Sequence, residues 1–417
     1  MFSLFVFKST AVGMRYGMGT YISQLTNSLI KFPGVNIYVV NYNSEEVREF
    51  TVYPIREGIT DIYIPATKLG KYDENIKQKY AFCAVTLLDE TISKTTNVVF
   101  LMNTPSTFPF AKLLKEKYGY PIVSMVHLAR WQQMLNGNKY KFVEIWKEKN
   151  DSVELKRLIE EREFYKLSDK IVSVTGYMKE FLRQFYDIPE EKISVIRNGV
   201  NSRTFKIIGE ADKASIKKRL GFGTDEKIIL YSGRLDASKG LKFVLEAFNE
   251  VTKQNTNARL VLMGDDSGTE RFSQYLSYCD DNWGKVTFTG LLNHEKVLSF
   301  YQIADIGIMT SIYDHCPYVA LEMIGHNVPL IISNIEGLNE ILSSEQAVYI
   351  EPLIDNEGDI SFSPEEISGA ILSLLGDEER RERITSDYPD LMKDKFSDHR
   401  MAGEMYSILN SMFEVVA

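Results

Sequence analysis

The feature that most constrains this chain is a series of short, uniformly apolar, β-rich runs separated by longer amphipathic ones. In the first half the runs are "SLFVF", "VNIYVVN", "NVVFLM", "PIVSMVH", "KIVSVT" and "ISVIRN". In the second they are "KIILYSG", "ARLVLMG", "VTFTG", "DIGIMT", "PLIIS" and "AVYIEP". A strand with one face in water alternates apolar and polar residues, and most of these do not, so both of their faces need cover. Helical patterns such as "KGLKFVLEAFNEVTKQ" lie between them and can supply it. The pattern predicts an α/β protein with parallel sheets. The series restarts after the polar stretch "NGVNSRTFKIIGEADKASIKKRLGFGTDE", and 417 residues are too many for one core. Two doubly wound, Rossmann-like domains are therefore expected, over 1–203 and 204–392, with a joint near 202–208. Residues 393–417 end the chain on an amphipathic helix. No repeat or low-complexity tract interrupts this plan.

Composition narrows the function classes. The chain is 44% hydrophobic and 25% charged, ordinary for a soluble globular protein. Cys83, Cys279 and Cys316 are odd in number and far apart, which suggests a reducing compartment rather than a disulfide framework. "MFSLFVFK" lacks a basic leader and reads as a first buried strand, and no apolar run reaches membrane-spanning length. The expected location is cytoplasmic, with peripheral contact at the inner face of a membrane left open. Residues 1–205 hold 28 Lys and Arg against 22 Asp and Glu, leaving 20 against 35 of the totals of 48 and 57 for the rest. The basic bias of the first half suits a membrane surface, an anionic acceptor or mere surface composition. No arginine-rich stripe or nucleic-acid motif occurs, so nucleic acid is not an expected partner.

In doubly wound domains the ligand crevice lies at the carboxyl ends of the strands, so the loops there are the candidate sites. "ILYSGRLDASKG" turns at Gly233 and places Arg234 and Lys239 at a helix start. Two cations beside helix N–H groups suit phosphate oxygens; the same residues would also serve as solvated surface charges. The Walker pattern is missing. "RLVLMGDDSG" runs a strand into Gly264, with Asp265 or Asp266 a candidate helix cap. The turn around Leu291 offers backbone groups to a planar base, or is a plain loop. In "YDHCPYVALEMIG", Pro317 suits the first position of a helix to Gly325, with Asp314 in the preceding loop and Glu322 on the second turn. The N–H groups of Tyr318 and Val319 can bind an anion. Glu322, acceptor-only and bidentate, suits two ribose hydroxyls. A metal site is not expected: His315 and Cys316 are adjacent, and no C-x-x-C, H-x-x-x-H or D-x-D pattern exists. Cys316 reads as a packing residue. "RYGMGTYISQL" offers Gly17 and Gly19 for close approach of backbone to a ligand, without the last glycine of a dinucleotide fingerprint. "PIVSMVHLARW" ends a strand on His127, a structural histidine or a functional one at the crevice edge. Residues 131–157, aromatic-rich and mixed in charge, read as a helical cover for the first domain, an acceptor groove or a membrane contact.

Together these residues resemble family 4 of the glycosyltransferases, also described as glycosyl transferases group 1, which are retaining enzymes of the GT-B fold. "SGRLDASKG", "VLMGDD", "VTFTGLL", "VALEM" and "GLNEIL" carry the resemblance in the second half; "GMGTY", "MVH", "IVSVTGYMKEFL" and "VIRNGVN" carry it in the first. The resemblance implies two domains facing a central cleft, with the last helix crossing back onto the first domain. It implies a hexosyl transfer from a nucleotide-diphosphate sugar, UDP-linked by preference, to a glycan, lipid-linked or peptide acceptor. No metal or other cofactor is implied. Arg234 and Lys239 would hold the donor diphosphate, Glu322 the ribose and Asp314 the hydroxyls of the transferred sugar. Backbone at Tyr318 and Val319 would touch sugar or phosphate, the loop at Leu291 the base, and Gly264 the nucleotide. His127 would lie next to sugar and acceptor, and Gly17 and Gly19 near the diphosphate. Where the family usually has E-x-F-G, this chain has "DHCP": Asp314 is one methylene shorter than Glu, and Pro317 removes one N–H. That departure leaves room for a catalytically silent subunit that binds a glycan or a partner transferase, or for a nucleotide-sugar epimerase.

Overall fold

The computed structural model of the protein describes residues 1–9, 17–66, 74–148, 151–266 and 272–414. The chain forms two compact units. The first comprises 1–130, 148–201 and 397–417; the second comprises 131–147 and 202–396.

The first unit is built on an eight-stranded sheet. Its strands are β1 (Phe2–Ser9), β2 (Val35–Ser44), β3 (Thr51–Arg56), β4 (Ile59–Pro65), β5 (Val98–Met102), β6 (Ile122–Val126), β7 (Lys170–Ser173) and β8 (Ile193–Val195). They lie in the order β3-β4-β2-β1-β5-β6-β7-β8, and only β3 is antiparallel to its neighbour. All six runs expected in this half are strands. β5 and β6 are buried along their whole length, as strands covered on both faces must be. The pair β3–β4 was not anticipated, for a physical reason. β3 is an edge strand, exposed at five of its six positions and carrying Pro54, so no apolar run marks it. The helix Asp398–Glu414 packs on the helix Gly17–Leu29 within this unit. Met401, Ala402, Met405 and Leu409 are fully buried, and the Tyr406 hydroxyl donates to the Pro33 carbonyl at 3.2 Å.

The second unit holds a wholly parallel six-stranded sheet. Its strands are β9 (Lys227–Ser232), β10 (Ala258–Met263), β11 (Val286–Gly290), β12 (Ile306–Met309), β13 (Leu330–Ser333) and β14 (Val348–Ile350), in the order β11-β10-β9-β12-β13-β14. All six expected runs are again strands. The chain winds outward from β9 to β10 and β11, then returns to the other side of β9 to lay down β12. That reversal opens a crevice at the carboxyl ends of β9 and β12.

The segment 131–147 comes from the first half of the sequence but belongs to the second unit, so it is not a cover for the first. The Asn138 amide donates to Asp359 at 2.7 Å and to the Glu357 carbonyl at 2.9 Å. Lys141 reaches Asp359 at 3.2 Å, and Gly137, with φ near 75°, lies against Ile312.

Candidate functional site

The second unit gathers most of the expected residues at the crevice between β9 and β12. β9 ends at Ser232, and Gly233 (φ 148°) turns the chain while its N–H donates to Met263 at the end of β10. Leu235 is fully buried and its N–H donates to the Asp265 carbonyl, which holds Arg234 at the rim. Asp236 then caps the short turn Ala237–Lys239 by accepting from the Ser238 N–H at 3.0 Å. Its second oxygen lies 3.3 Å from the Arg234 guanidinium. Gly240 follows in the left-handed conformation, with the Thr310 carbonyl just beyond β12 filling the space a Cβ would need. The Ile312 N–H donates to the Ser238 carbonyl at 2.8 Å, so the two loops are stitched together at the backbone.

The stitching brings Lys239 onto Asp314, with Nζ 2.6 Å from Oδ2. The resemblance gave these residues separate tasks, diphosphate for one and sugar for the other; in the structure they form one ion pair. Ser311 donates to the same oxygen at 3.4 Å, and the His315 N–H donates to Oδ1 at 3.0 Å. Both oxygens of the shortened acid are therefore held by protein donors. Pro317 is the cap of the helix Tyr318–Gly325 rather than its first residue, so the expected helix starts one residue later. Tyr318 and Val319 are then its first two residues, whose N–H groups have no acceptor within the helix. Cys316 is buried and takes φ 46°, a left-handed conformation uncommon for a residue with a Cβ.

Glu322 sits on the second helical turn, as expected, and accepts from the Tyr301 hydroxyl at 2.8 Å. Burial raises its carboxyl above the ordinary range, and the Tyr301 bond opposes that shift. Tyr301 lies in turn 3.3 Å from the Ser232 hydroxyl at the end of β9. No sequence signal marks Tyr301, whose place comes from packing between the helix His294–Ile303 and the strand end. Gly264 meets the Gly233 backbone so closely that a Cβ would collide with it, and it bridges to Gly290. Leu291, next in sequence, is exposed.

His127, Gly17 and Gly19 belong to the first unit, where Tyr21, on the same helix as the two glycines, meets His127. His127 follows β6 directly, and Gly17 opens the helix Gly17–Leu29, on which Gly19 and Tyr21 also lie. The Tyr21 and His127 rings meet edge to face with centroids 4.6 Å apart. The residues just before Gly17 lie outside the described ones. Burial pushes the His127 imidazole down to about 4, and its buried Nε2 has no hydrogen-bond partner among the described residues. A neutral imidazole with an unsatisfied nitrogen is suited to a ligand hydroxyl.

Among the described residues no group of three His, Cys, Asp or Glu side chains is arranged to hold a metal ion. No described helix is long and apolar enough to cross a membrane.

Fold and site define the class first: two parallel-sheet, Rossmann-like units of the GT-B type, with cations and carboxylates at a strand-order reversal. The family follows from sequence. The model of "Glycosyltransferase Family 4" matches residues 16–203, and that of "Glycosyl transferases group 1" matches 212–387. The chain belongs to these glycosyltransferases. An uncharacterized glycosyltransferase of Methanocaldococcus jannaschii is 28% identical over 60% of this chain and 62% of that protein. The alpha-D-kanosaminyltransferase of Streptomyces kanamyceticus is 24% identical over 57% of this chain and 59% of its own length. The chain thus spans less than two thirds of the curated relatives it matches. Sucrose-phosphate synthase from Thermosynechococcus elongatus superposes over 100% of both chains with a TM-score of 0.78 at 17% identity. Anabaena HepE in complex with UDP-glucose covers 99% of this chain and 100% of its own, with a TM-score of 0.71 at 12% identity. These likenesses are of fold.

Proposed function

We propose that the protein is a retaining transferase that moves a hexose-type sugar from a nucleotide-diphosphate donor, UDP-linked, to a glycan, lipid-linked or peptide acceptor. The observation that carries the reading is the Lys239–Asp314 pair, with Arg234 nearby in sequence, at the reversal between β9 and β12. Charge grows on the diphosphate as the sugar leaves, and fixed cations at that point stabilise the transition state more than the ground state. Lys239 has three hydrogens to donate, so it can keep Asp314 and still reach a phosphate oxygen. Asp314 then meets the sugar hydroxyls at the end of the same interaction. Tyr301 fixes one oxygen of Glu322, and the other would accept from ribose hydroxyls. The neutral His127 would accept from or donate to a hydroxyl of the sugar or acceptor. The structure of HepE with UDP-glucose supports the choice of nucleotide by analogy of fold. The reading has Lys239 and Arg234, rather than a resident metal ion, meet the charge on the diphosphate.

The test is a panel of nucleotide sugars with release of free nucleotide measured. One donor should turn over at a rate that chelation by EDTA leaves unchanged. Lys239→Ala and Glu322→Ala should each lose about a hundredfold or more in kcat/KM, as expected for one charged contact in a water-poor site. Wild-type turnover by both variants would remove these residues from their roles, and absence of turnover with every donor would remove the reaction.

A further inference from the structure

His315 and Gln132 have no task in the reading above, yet they form a buried pair directly behind Asp314. His315 is only 5% exposed and Gln132 only 4%. The His315 Nε2 lies 2.8 Å from the Gln132 Oε1. With the amide oxygen as acceptor, Nε2 carries the hydrogen. The backbone at Gly337 presses against the opposite edge of the ring, leaving no room even for a Cβ at that position. The imidazole is thus clamped between an amide and a glycine. The same residue's backbone N–H holds Oδ1 of Asp314 at 3.0 Å. What fixes the ring fixes the orientation of that N–H, and so of the carboxylate.

Gln132 comes from far away in sequence. It lies on the segment 131–147, which enters the second unit four residues after His127 and is fastened there by Asn138, Lys139 and Lys141. Lys139 reaches Glu336, the residue before Gly337, at 3.6 Å. One segment therefore touches both sides of the clamp.

We infer that Gln132 is a positioning residue for the donor sugar: through the His315 ring and backbone it sets where Asp314 presents its carboxylate, and thereby which sugar the site accepts. The inference rests on the transferase reading for its catalytic consequence, but the clamp itself is independent of that reading. An amide is suited to the task because it accepts from Nε2 without adding charge. The charged groups acting on the imidazole are Asp314, which favours its protonation, and Lys239, which opposes it; burial outweighs both and pushes it down to about 4. The ring is therefore neutral at physiological pH, and its protonation would put a cation into the Lys239–Asp314 pair. A carboxylate at 132 would invite that proton.

The experiment compares Gln132→Ala, Gln132→Asn and Gln132→Glu with the wild type, each checked for an unchanged melting profile. The first readout is the titration of His315 by NMR of histidine-labelled protein, assigned with His315→Gln. Gln132→Glu should raise the His315 titration by at least about one pH unit, the scale of a neighbouring opposite charge. The second readout is donor turnover. Gln132→Ala should lower kcat for the preferred donor about tenfold while free UDP binds within about twofold of wild type, because only the sugar contact is disturbed. Sugar preference across the panel should narrow less in Gln132→Ala than in the wild type. Gln132→Glu should show an acidic limb in kcat at the new His315 titration point that the wild type lacks. An unchanged His315 titration in Gln132→Glu overturns the clamp, and wild-type kcat with unchanged sugar preference in Gln132→Ala overturns its role in positioning. If no donor turns over even with the wild type, the transferase reading falls, and the NMR titration alone decides on the clamp.

Discussion

Glu161 is a fully buried carboxyl that accepts from the Arg130 N–H at 3.1 and 3.3 Å, and Arg130 follows His127 by three positions. The Tyr186 hydroxyl donates to it at 2.7 Å. Burial pushes the carboxyl up to about 7 against an ordinary value of 4.5, with Tyr186 and Arg130 opposing the shift. Between these two values the unfolded chain has released its proton and the folded chain keeps it. The unfolded state then binds fewer protons, so the stability of the first unit falls as pH rises through this window. The shift corresponds to on the order of 3 kcal/mol. Glu161→Gln cannot titrate, so the stability difference between wild type and variant should shrink by that amount from pH 4.5 to 7, as read by urea unfolding at stepped pH. A pH-independent difference would show that Glu161 carries its charge in the folded state. His127 acts in the opposite sense: its folded value of about 4 lies below the ordinary 6.5, so its contribution is present above 6.5 and is lost as pH falls toward 4.

At the scale of elements, the site depends on two loops lying close enough to share backbone hydrogen bonds, and Gly240 is what permits it. Its φ of 65° favours glycine, and the Thr310 carbonyl occupies the place of a Cβ. Gly240→Ala should cost about 1–3 kcal/mol of stability in the second unit from backbone strain and displaced backbone. It should also weaken UDP binding, because Lys239 precedes it; calorimetry that found wild-type affinity would mean that the loops part without moving the cation. How legible these elements were follows from where their constraints arise. Most of the twelve strands could be read because a strand buried on both faces has to be apolar throughout, and the sequence states that locally; β11, half-buried along its length, is legible from its β-branched and aromatic residues. β3, an exposed edge with a proline, makes no such demand and left no trace. The positions of Arg234, Lys239 and Asp314 in loops after strands, and of Glu322 on the helix that follows, were readable because such loops are few and charged residues near them stand out. The Lys239–Asp314 contact was not, since 75 residues separate the partners and only the packed sheet sets the distance. Gln132 was still less so: its segment is polar and aromatic enough to cover anything, and its place is fixed by partners more than 180 residues ahead.

At the scale of the whole molecule, the chain passes between its units at four places, after residues 130, 147, 201 and 396. Each unit nevertheless closes its own core. The first draws on the last segment of the chain, where the fully buried Met401, Met405 and Leu409 pack into it and the Phe32 and Tyr406 rings stack with centroids 5.0 Å apart. The second contains Arg234, Lys239, Asp314 and Glu322, the charged residues proposed to bind the donor. Met405 is fully buried, so a carboxylate introduced there would be taken out of water, at a cost of several kcal/mol. Met405→Asp should therefore lower the melting temperature of the first unit by more than about 10 °C, since each kcal/mol is worth several degrees in a domain of this size. The second unit should keep a separate, higher transition, and UDP should still raise it by mass action. Calorimetric scanning with and without UDP reads both effects at once. A single transition that falls as a whole, with the UDP response lost, would mean that the two cores are coupled into one cooperative structure. The crossings at 130 and 147 would then transmit stability between the units, and Gln132, which lies between them, would report on both.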